Sequence, residues 1–208
     1  MQDNIELNMP ISEAMETQRA IRRLKPDPVE DALVLRLIEL ALKAPSGSNA
    51  QNWEFIIVKD RAVKKKIAIL HRRVVRLAGR YGRRADVKIW NAVLWQADHF
   101  EEIPVIVVAC LKGMRLPFPH ILVASYFGSI FPSVQNFLLA ARAANLGATL
   151  ITFPLWNLFA LRRALGLPRN ITPCAVIPLG WPIGSYGPTT RKPVHDVVSF
   201  DRYGNRGD

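Results

Sequence analysis

Three arginines near the start of the chain, Arg19, Arg22 and Arg23, have the spacing and the chemistry of an anion-binding site. A spacing of i, i+3 and i+4 places residues on one face of a helix, where three guanidinium groups repel one another unless an anion lies between them. Phosphate suits such a cluster, because each guanidinium can donate two parallel hydrogen bonds to its oxygens. A solvated basic helix face is the alternative that these residues alone leave open.

A second candidate is the segment APSGSNAQNWEF, residues 44–55, where small and amide side chains connect a helix to a strand. Ser46, Ser48, Asn49 and Gln51 offer hydrogen-bond donors and acceptors beside a backbone that a flat ligand can approach closely. An ordinary helix–strand connection has a similar composition, so both interpretations stay open for this loop.

The sequence lacks the motifs of an active site built from side chains alone. No GxGxxG, GxxxxGK[ST] or GxSxG motif is present, no acidic pair lies in an apolar context, and the four histidines are scattered without metal-ligand spacing. Such a chain is either a binding module or an enzyme whose cofactor performs the chemistry. We therefore predict no catalytic side chain and no metal site.

The charge of the chain suggests an anionic partner. Among 208 residues there are 28 Lys and Arg against 17 Asp and Glu, a formal net charge of +11. Many of the cations lie between Arg61 and Lys88, which suits a solvated helix face or a surface that attracts an anionic ligand. A nucleic-acid-binding module is a third possibility, but no recognisable motif accompanies the charge, so we expect no nucleic-acid partner.

Cysteine usage and hydropathy predict the compartment. Cys110 and Cys174 both lie in apolar runs, which indicates buried, reduced thiols. The first ten residues lack the basic start and apolar run of a signal peptide, and no apolar stretch approaches the ~18 residues that span a bilayer. We expect a cytoplasmic protein without a membrane partner.

Helices and strands are predicted to alternate around a small sheet, in an α+β or α/β class, within one domain of residues 1–208. Ser12 would cap a helix that runs to about Leu24, and Asp27 with Pro28 would begin the next helix. Gly79 and Gly82 are expected to interrupt the helix that follows the first strand. The periodicity further predicts strands at 53–58, 104–111 and 174–180, and a strand or its exit loop at 148–153. It predicts helices at 61–77, 88–100, 121–145 and 154–165, and an extended patch at 194–200.

In this order, the segments resemble the FMN-dependent nitroreductase family. The similarity spans about residues 12–203: the arginine helix, the PV pair after it, APSGSNAQNW, QNFLLAARAANLGA (135–148), LRRALGLP (161–168), VIPLGWP (176–182) and GPTTRKPVHDVV (187–198). The resemblance implies a nitroreductase-like three-layer α+β fold with a central mixed β-sheet flanked by helices. It also implies a domain-swapped homodimer that holds two FMN molecules at its interface. Residues 1–11 would form an N-terminal arm, about 71–99 a variable lid, and about 183–208 a C-terminal extension.

The resemblance also assigns cofactor-binding residues. The FMN phosphate would be held by the first arginine segment and near the C-terminus, here by Arg19, Ala20, Ile21, Arg22 and Arg23 together with Arg191. The loop residues Pro45, Ser46, Gly47, Ser48, Asn49 and Gln51 would line the ribityl chain and ring, and the backbone of Leu150, Ile151 and Thr152 would meet the ring from the other side. The chain departs from the family pattern at Gln18, Ala20, Asn52 and Ile151. Because Ala20 replaces a serine, one neutral hydroxyl partner of the phosphate is lost, which should weaken FMN binding without abolishing it.

The reaction implied by the resemblance is hydride transfer from NAD(P)H to the flavin N5, followed by reduction of a small-molecule acceptor in a ping-pong cycle. Nitroaromatics and quinones are the expected acceptors. In the lid, six arginines would attract NADPH and two tryptophans would wall the pocket, with surface charge and core packing as alternatives: Arg72, Arg73, Arg76, Arg80, Arg83, Arg84, Trp90 and Trp95. Two other functions on the same fold stay open, a flavin storage or sensor protein without turnover and a reductive dehalogenase or flavin-processing enzyme.

Overall fold

The computed structural model of the chain describes residues 5–81, 86–113 and 120–207. The helices within these ranges are α1 (Ile11–Thr17), α2 (Asp31–Ala41), α3 (Arg61–Tyr81), α4 (Val87–Asp98), α5 (His120–Ala143) and α6 (Leu158–Leu165). The strands are β1 (Trp53–Val58), β2 (Val105–Lys112), β3 (Gly147–Ala148) and β4 (Ile171–Gly180), and short 3₁₀ helices lie at Gly47–Asn49, Phe153–Asn157 and Val194–Asp196. Helices and strands thus combine in an α+β fold, as predicted, and the strand over 53–58 is confirmed at both ends.

The four strands form one sheet in the order β1-β2-β4-β3. Each of its three pairings is antiparallel, so the expectation of a mixed sheet is wrong for the described residues of this chain. The apolar runs that predict a strand carry no information about its direction. Here α3 and α4 connect β1 to β2 and return the chain in the opposite direction, which makes this pairing antiparallel.

The sheet separates two apolar layers, because successive side chains of a strand point to opposite faces. From the central strand β2, Val105, Val107 and Ala109 belong to the core cluster that contains α2 and α5. Ile106 and Val108 belong instead to the cluster formed with α3 and α6. Helices therefore cover both faces of the sheet, and β2 is buried from Val105 to Leu111.

The first helix ends earlier than predicted. α1 stops at Thr17, and Gln18 already has extended backbone angles. The segment after it forms tertiary hydrogen bonds: Ile21 N donates to Ala148 O at 3.1 Å, and Leu24 forms an antiparallel bridge with Pro182. Pairing with the edge of the sheet outweighs helix propensity here, so Arg19, Arg22 and Arg23 do not lie on one helix face.

The second helix begins later than predicted. Its N-cap is Glu30 rather than Asp27. Residues before it are fixed by contacts with the end of the chain, since Trp181 Nε1 donates to Pro28 O at 3.1 Å and Val29 is buried. The Asp27-Pro28 signal therefore does not begin the helix, and the residues that carry it pack against Trp181 instead.

Gly79 does not interrupt α3, contrary to the prediction. The helix continues through it to Tyr81, and a Cβ added at Gly79 would lie 3.1 Å from the Trp90 ring of α4. The glycine therefore permits a close approach between the two helices.

Trp95 of α4 stacks on His99 with ring centroids 4.2 Å apart. Of the lid residues that the sequence singled out, Arg83 and Arg84 lie outside the described residues.

The two cysteines are buried and free, as predicted. Burial raises the pKa of each thiol to about 12, so both remain protonated at neutral pH. The predicted extended patch at 194–200 is wrong at its start, because Val194–Asp196 forms a 3₁₀ helix. Within the described ranges, no helix has both the length and the apolar character needed to cross a bilayer.

Candidate functional site

The arginine segment, residues 19–23, is attached to the edge of the sheet. Ile21 provides both anchors, since its N–H donates to Ala148 O and its carbonyl accepts from Thr149 Oγ1 at 2.6 Å. Gly147 is required beside it, because an added Cβ would lie 2.7 Å from the Ile21 side chain and 2.6 Å from Leu24. The tertiary structure thus fixes the backbone from which the three arginines project.

Arg22 is a half-buried cation that has no carboxylate partner among the described residues. Burial lowers the pKa of its guanidinium, and no carboxylate contributes to that pKa. None of the ion pairs among the described residues involves Arg19, Arg22, Arg23 or Arg191. Because desolvating an unpaired charge is costly, this arrangement suits an anion supplied from outside the chain.

The C-terminal segment passes beside the first arginine. Thr189 donates twice to Glu16 O, from its N–H at 2.9 Å and its Oγ1 at 3.0 Å. A Cβ built on Gly187 would lie 3.5 Å from Arg19 Nη1. Arg191, two residues beyond Thr189, is exposed, and its Nη1 donates to Thr190 O at 2.9 Å. The structure therefore brings the tail that carries Arg191 to the arginine segment.

Arg142, which the sequence did not single out, holds these parts together. Its Nε donates to Thr17 Oγ1 at 2.8 Å, and its guanidinium lies 4.0 Å from the centre of the Tyr186 ring. A second nitrogen forms a 3.8 Å ion pair with Glu13. This buried arginine of α5 thereby joins α1 to the start of the tail. The feature of the sequence that could have identified Arg142 is its position as a charged residue inside an otherwise apolar helical stretch.

The loop after α2 has an unusual backbone. Ser48, Asn49 and Gln51 have φ angles of 52°, 52° and 47°. Residues with side chains rarely adopt this left-handed region, and such strain tends to occur at ligand-binding sites. The loop is held from within, since Gln51 N donates to Ser46 Oγ at 3.1 Å and Gln51 Nε2 to Asn49 Oδ1 at 3.0 Å.

Two serines of α5, Ser125 and Ser129, lie against this loop at Gly47. Gly47 N donates to Ser129 Oγ at 3.0 Å, and a Cβ added at Gly47 would lie 2.7 Å from Ser125 Oγ. Neither serine was predicted to be a site residue, although their i, i+4 spacing within an apolar helix is visible in the sequence. Pro45, Ser48 and Asn49 are exposed, so the polar face of the loop is directed away from its support.

The third predicted group, residues 150–152, leaves the sheet edge beside β4. Ile151 exchanges two hydrogen bonds with Val176, at 2.8 and 3.0 Å, and its side chain is buried. Leu150 is half-buried on the α2 and α5 side, and Thr152 is exposed. The main chain of Ile151 is therefore hydrogen-bonded within the sheet. The residues before and after it, Leu150 and Thr152, are more accessible to solvent than Ile151.

A buried histidine lies close to the arginine segment, and no sequence pattern pointed to it. His71 is 1% exposed and lies between the rings of Phe100 and Phe153, with centroid distances of 5.0 and 5.7 Å. Both of its ring nitrogens lack a hydrogen-bond partner. Burial, aided by the charges of Arg72 and Arg22, lowers its pKa to about 4, so the ring is neutral at pH 7. Among the described residues, no cluster of His, Cys, Asp or Glu could hold a metal ion.

An apolar groove on the described part of the chain lies away from these groups. It has a volume of about 270 Å³ and is lined by Leu7, Met9, Ile11, Leu40 and Leu139 together with neighbouring residues of α1, α2 and α5. No predicted site residue lines it. The predicted arginines and the strained polar loop therefore lie outside this groove.

A family model described as the Nitroreductase family matches residues 15–181, which is most of the chain. The chain belongs to the nitroreductase family. A relative from Methanothermobacter thermautotrophicus, named "Putative NADH dehydrogenase/NAD(P)H nitroreductase", is 30% identical over 181 residues, covering 86% of this chain and 81% of the relative. The family and the names of its members make this chain an oxidoreductase.

Deiodinases are also among the relatives of this nitroreductase-family chain. An iodotyrosine deiodinase from Nematostella vectensis is 22% identical over 192 residues, which cover 89% of this chain and 72% of the deiodinase. A solved structure of oxidized iodotyrosine deiodinase bound to FMN and 3-iodo-L-tyrosine has a TM-score of 0.76 at 21% identity and covers 93% of this chain and 100% of that one. This likeness shows the fold, and FMN is bound in the neighbouring structure.

Proposed function

We propose that this chain is an FMN-dependent oxidoreductase that oxidises NAD(P)H and reduces a small-molecule acceptor such as a nitroaromatic or a quinone. The observation that supports it most directly is Arg22, a half-buried cation whose pKa burial lowers and which no carboxylate compensates. The phosphate of FMN would supply the missing negative charge. Membership of the nitroreductase family supports the redox assignment.

The residues that would hold FMN fall into two groups. Arg19, Arg22 and Arg23 would bind the phosphate together with Arg191, which the Thr189 hydrogen bonds bring to the same side of the chain. The other group is the strained loop with its outward-facing polar residues, joined by the backbone at 150–152. Ala20 contributes no hydroxyl, so the arginines would supply most of the binding energy for the phosphate.

The chemistry that bound FMN would supply is hydride acceptance from NAD(P)H and electron donation to the acceptor, so the two substrates would use the site in turn. The chain's own part is to bind and orient. The loop is pre-shaped by Ser46 and Ser129, which hold its backbone in the left-handed region before any ligand arrives. No nearby carboxylate or charged histidine is needed, and His71 is neutral at pH 7 because of its burial.

We further propose that a homodimer completes the site. Ile11 and Met15 are exposed on α1 beside the apolar groove, and Val194, Val197 and Phe200 are exposed on the tail. Exposed apolar surface of this extent favours a partner, and a second copy would cover it. Light scattering of the purified protein should give twice the 23.4 kDa mass of the chain.

The visible spectrum of the purified protein tests the cofactor. Absorption bands near ~370 and ~450 nm are expected of bound oxidised flavin. A colourless protein that stays colourless after incubation with excess FMN would contradict the proposal. Anaerobic addition of NADPH should bleach the bands, and a quinone should restore them. A yellow protein that neither NADPH nor NADH bleaches would indicate storage or sensing instead of turnover.

Reductive dehalogenation is the second candidate function. It is favoured by the TM-score of 0.76 with a structure that holds FMN and 3-iodo-L-tyrosine, and by the curated deiodinase relatives. Release of iodide from 3-iodo-L-tyrosine, measured with chemically reduced protein, would identify this reaction. Nitroaromatic or quinone reduction without iodide release would assign the chain to the first function.

A further inference from the structure

Two large aromatic side chains project from the surface next to α3. Trp156 is 70% exposed and Phe159 is 78% exposed. Their neighbours Leu155, Ala160 and Leu161 pack inward, in the cluster that includes Ile67 and Leu70 of α3. The two aromatic rings are therefore on the outer side of a well-anchored element, which is unusual for side chains of this size.

The exposed side of α6 continues with a cation. Phe159 and Arg163 are four residues apart on the helix and so share a face, and both are exposed. Arg162 is used differently, because it donates to the carbonyls of Pro168 and Ile171 and ties the end of α6 to β4. Arg162 thus stabilises the fold, whereas Arg163 is exposed to solvent.

The neighbouring side of α3 is cationic and partly apolar. The side of α3 that packs in the shared cluster with α6 carries Val63, Ile67 and Leu70. Lys66 lies three residues after Val63, Arg73 lies three residues after Leu70, and both cations are exposed. The same outer side of α3 exposes Leu77, seven residues after Leu70, and Ile69. Helical spacing therefore places these side chains next to α6 on the exterior. We call Lys66, Arg73, Leu77, Trp156, Phe159 and Arg163 the α3–α6 face.

Negative charge is absent from both segments that form this face. The sequence has no Asp or Glu from Arg61 to residue 85, and none from residue 103 to His195. Among the described residues of α3, only Arg72 forms an ion pair, with Glu101 of the neighbouring segment. Lys64 is turned inward and donates to Ile103 O at 2.8 Å. The cations of the α3–α6 face are thus left without carboxylate partners.

We propose that the α3–α6 face binds the surface of an anionic phospholipid bilayer. Lysine and arginine next to protruding tryptophan, phenylalanine and leucine is the composition of interfacial helices, in which cations meet lipid phosphates and apolar side chains enter the headgroup region. This inference does not depend on the proposed cofactor.

The shape of the α3–α6 face favours lipid over nucleic acid. Single-stranded nucleic acids bind in basic grooves whose aromatic rings stack on successive bases. Here Trp156 of the 3₁₀ helix Phe153–Asn157 and Phe159 of α6 are exposed on the outside. The exposed aliphatic residues Leu77 and Ile69 of α3 cannot stack on bases. Aliphatic side chains do gain free energy on leaving water for a bilayer.

Vesicle sedimentation of the purified full-length protein tests the proposal. Vesicles of phosphatidylcholine with phosphatidylglycerol should bind the protein, and vesicles of phosphatidylcholine alone should bind it weakly. One cation near an anionic surface contributes roughly fivefold to binding, so Lys66→Gln with Arg73→Gln should weaken it roughly 25-fold. Trp156→Ser with Phe159→Ser should weaken it at least about tenfold. Raising the salt concentration should release the wild-type protein.

Matched controls lie outside the face. Lys25→Gln with Lys43→Gln removes the same charge, and Tyr203→Ser removes an exposed aromatic residue of the tail. These variants should bind anionic vesicles like the wild type, and circular dichroism should show that every variant is folded. A blue shift of tryptophan emission on vesicle binding should disappear in Trp156→Phe, while sedimentation is retained.

Several results would overturn the proposal. One is equal binding to neutral and anionic vesicles, and another is wild-type binding by the Trp156→Ser/Phe159→Ser variant. Tighter binding to DNA than to vesicles at about 0.15 M salt would assign the face to nucleic acid. A change in oligomeric mass caused by the same substitutions would assign it to a second copy of the chain.

Discussion

Replacing Arg22 should separate cofactor affinity from the stability of the protein without FMN. Arg22 is half-buried, burial lowers its pKa, and none of the ion pairs among the described residues includes it. In Arg22→Met the chain keeps a long side chain but loses the charge. A charge-assisted hydrogen bond contributes about 1.5–3 kcal/mol, so the Kd for FMN should rise roughly 10- to 150-fold.

The stability of the FMN-free protein should respond with the opposite sign. An unpaired, partly desolvated cation destabilises the folded state, so Arg22→Met should leave the Tm of the FMN-free protein unchanged or raise it. Arg22→Lys keeps the charge but loses the planar fork, so its FMN affinity should lie between those of the wild type and Arg22→Met. Arg169→Met, at an exposed position after α6, is the matched control and should change neither quantity.

Both quantities can be measured on the same preparation. The protein is freed of FMN by dialysis, titrated with FMN while flavin fluorescence is followed, and melted in parallel with and without FMN. An unchanged Kd in Arg22→Met would refute the assignment of Arg22 to the phosphate. A marked fall in the Tm of the FMN-free variant would show that the guanidinium has a stabilising partner within the chain, which contradicts the reasoning from its burial.

Three further substitutions test other parts of the site. Arg191→Ala should clearly reduce the flavin retained per chain on gel filtration, and unchanged retention would show that the C-terminal arginine is misassigned. Gly47→Ala should lower the free energy of unfolding by about 1–3 kcal/mol, because its Cβ would lie 2.7 Å from Ser125 Oγ, and Ser125→Ala should restore most of it. His71 has a folded pKa of about 4, below its unfolded value, so its neutral form contributes stability that is lost as the pH falls from about 6.5 towards 4. His71→Phe should remove that part of the acid sensitivity in urea unfolding at pH 7 and pH 4.5, and an identical pH dependence in both proteins would show that another group is responsible.

Residue types indicated which residues to consider for the site, whereas the geometry of these residues followed only from the structure. The arginines and the APSGSN loop stand out because guanidinium groups suit phosphate and small polar residues suit a close approach of the backbone. The supporting residues Ser125, Ser129 and Arg142 could not be assigned from the sequence. Their partners lie about eighty to 125 residues away, as in the bonds from Gly47 to Ser129 and from Arg142 to Thr17.

In α1 and α3, tertiary contacts outweighed the local sequence preferences on which the predicted helix ends rested. The helix expected to continue to Leu24 stops at Thr17, because Ile21 finds a hydrogen-bond partner in Ala148. Gly79 was expected to break α3, but it lets the helix pass close to Trp90. In each case a contact made by a distant segment outweighed a preference worth about 1 kcal/mol or less per residue.

The sequence by itself determined the approximate position of the strands β1 and β2, the free cysteines and the family, because these depend on apolar periodicity, residue type and order along the chain. Only the tertiary structure decided the antiparallel direction of the strands, the extended course of the arginine segment and the burial of Arg22 and His71. The physical reason is that direction, pairing and desolvation are properties of the segments that meet in space. The free energy of each contact depends on both of the segments that form it, whereas a local sequence pattern describes only one segment.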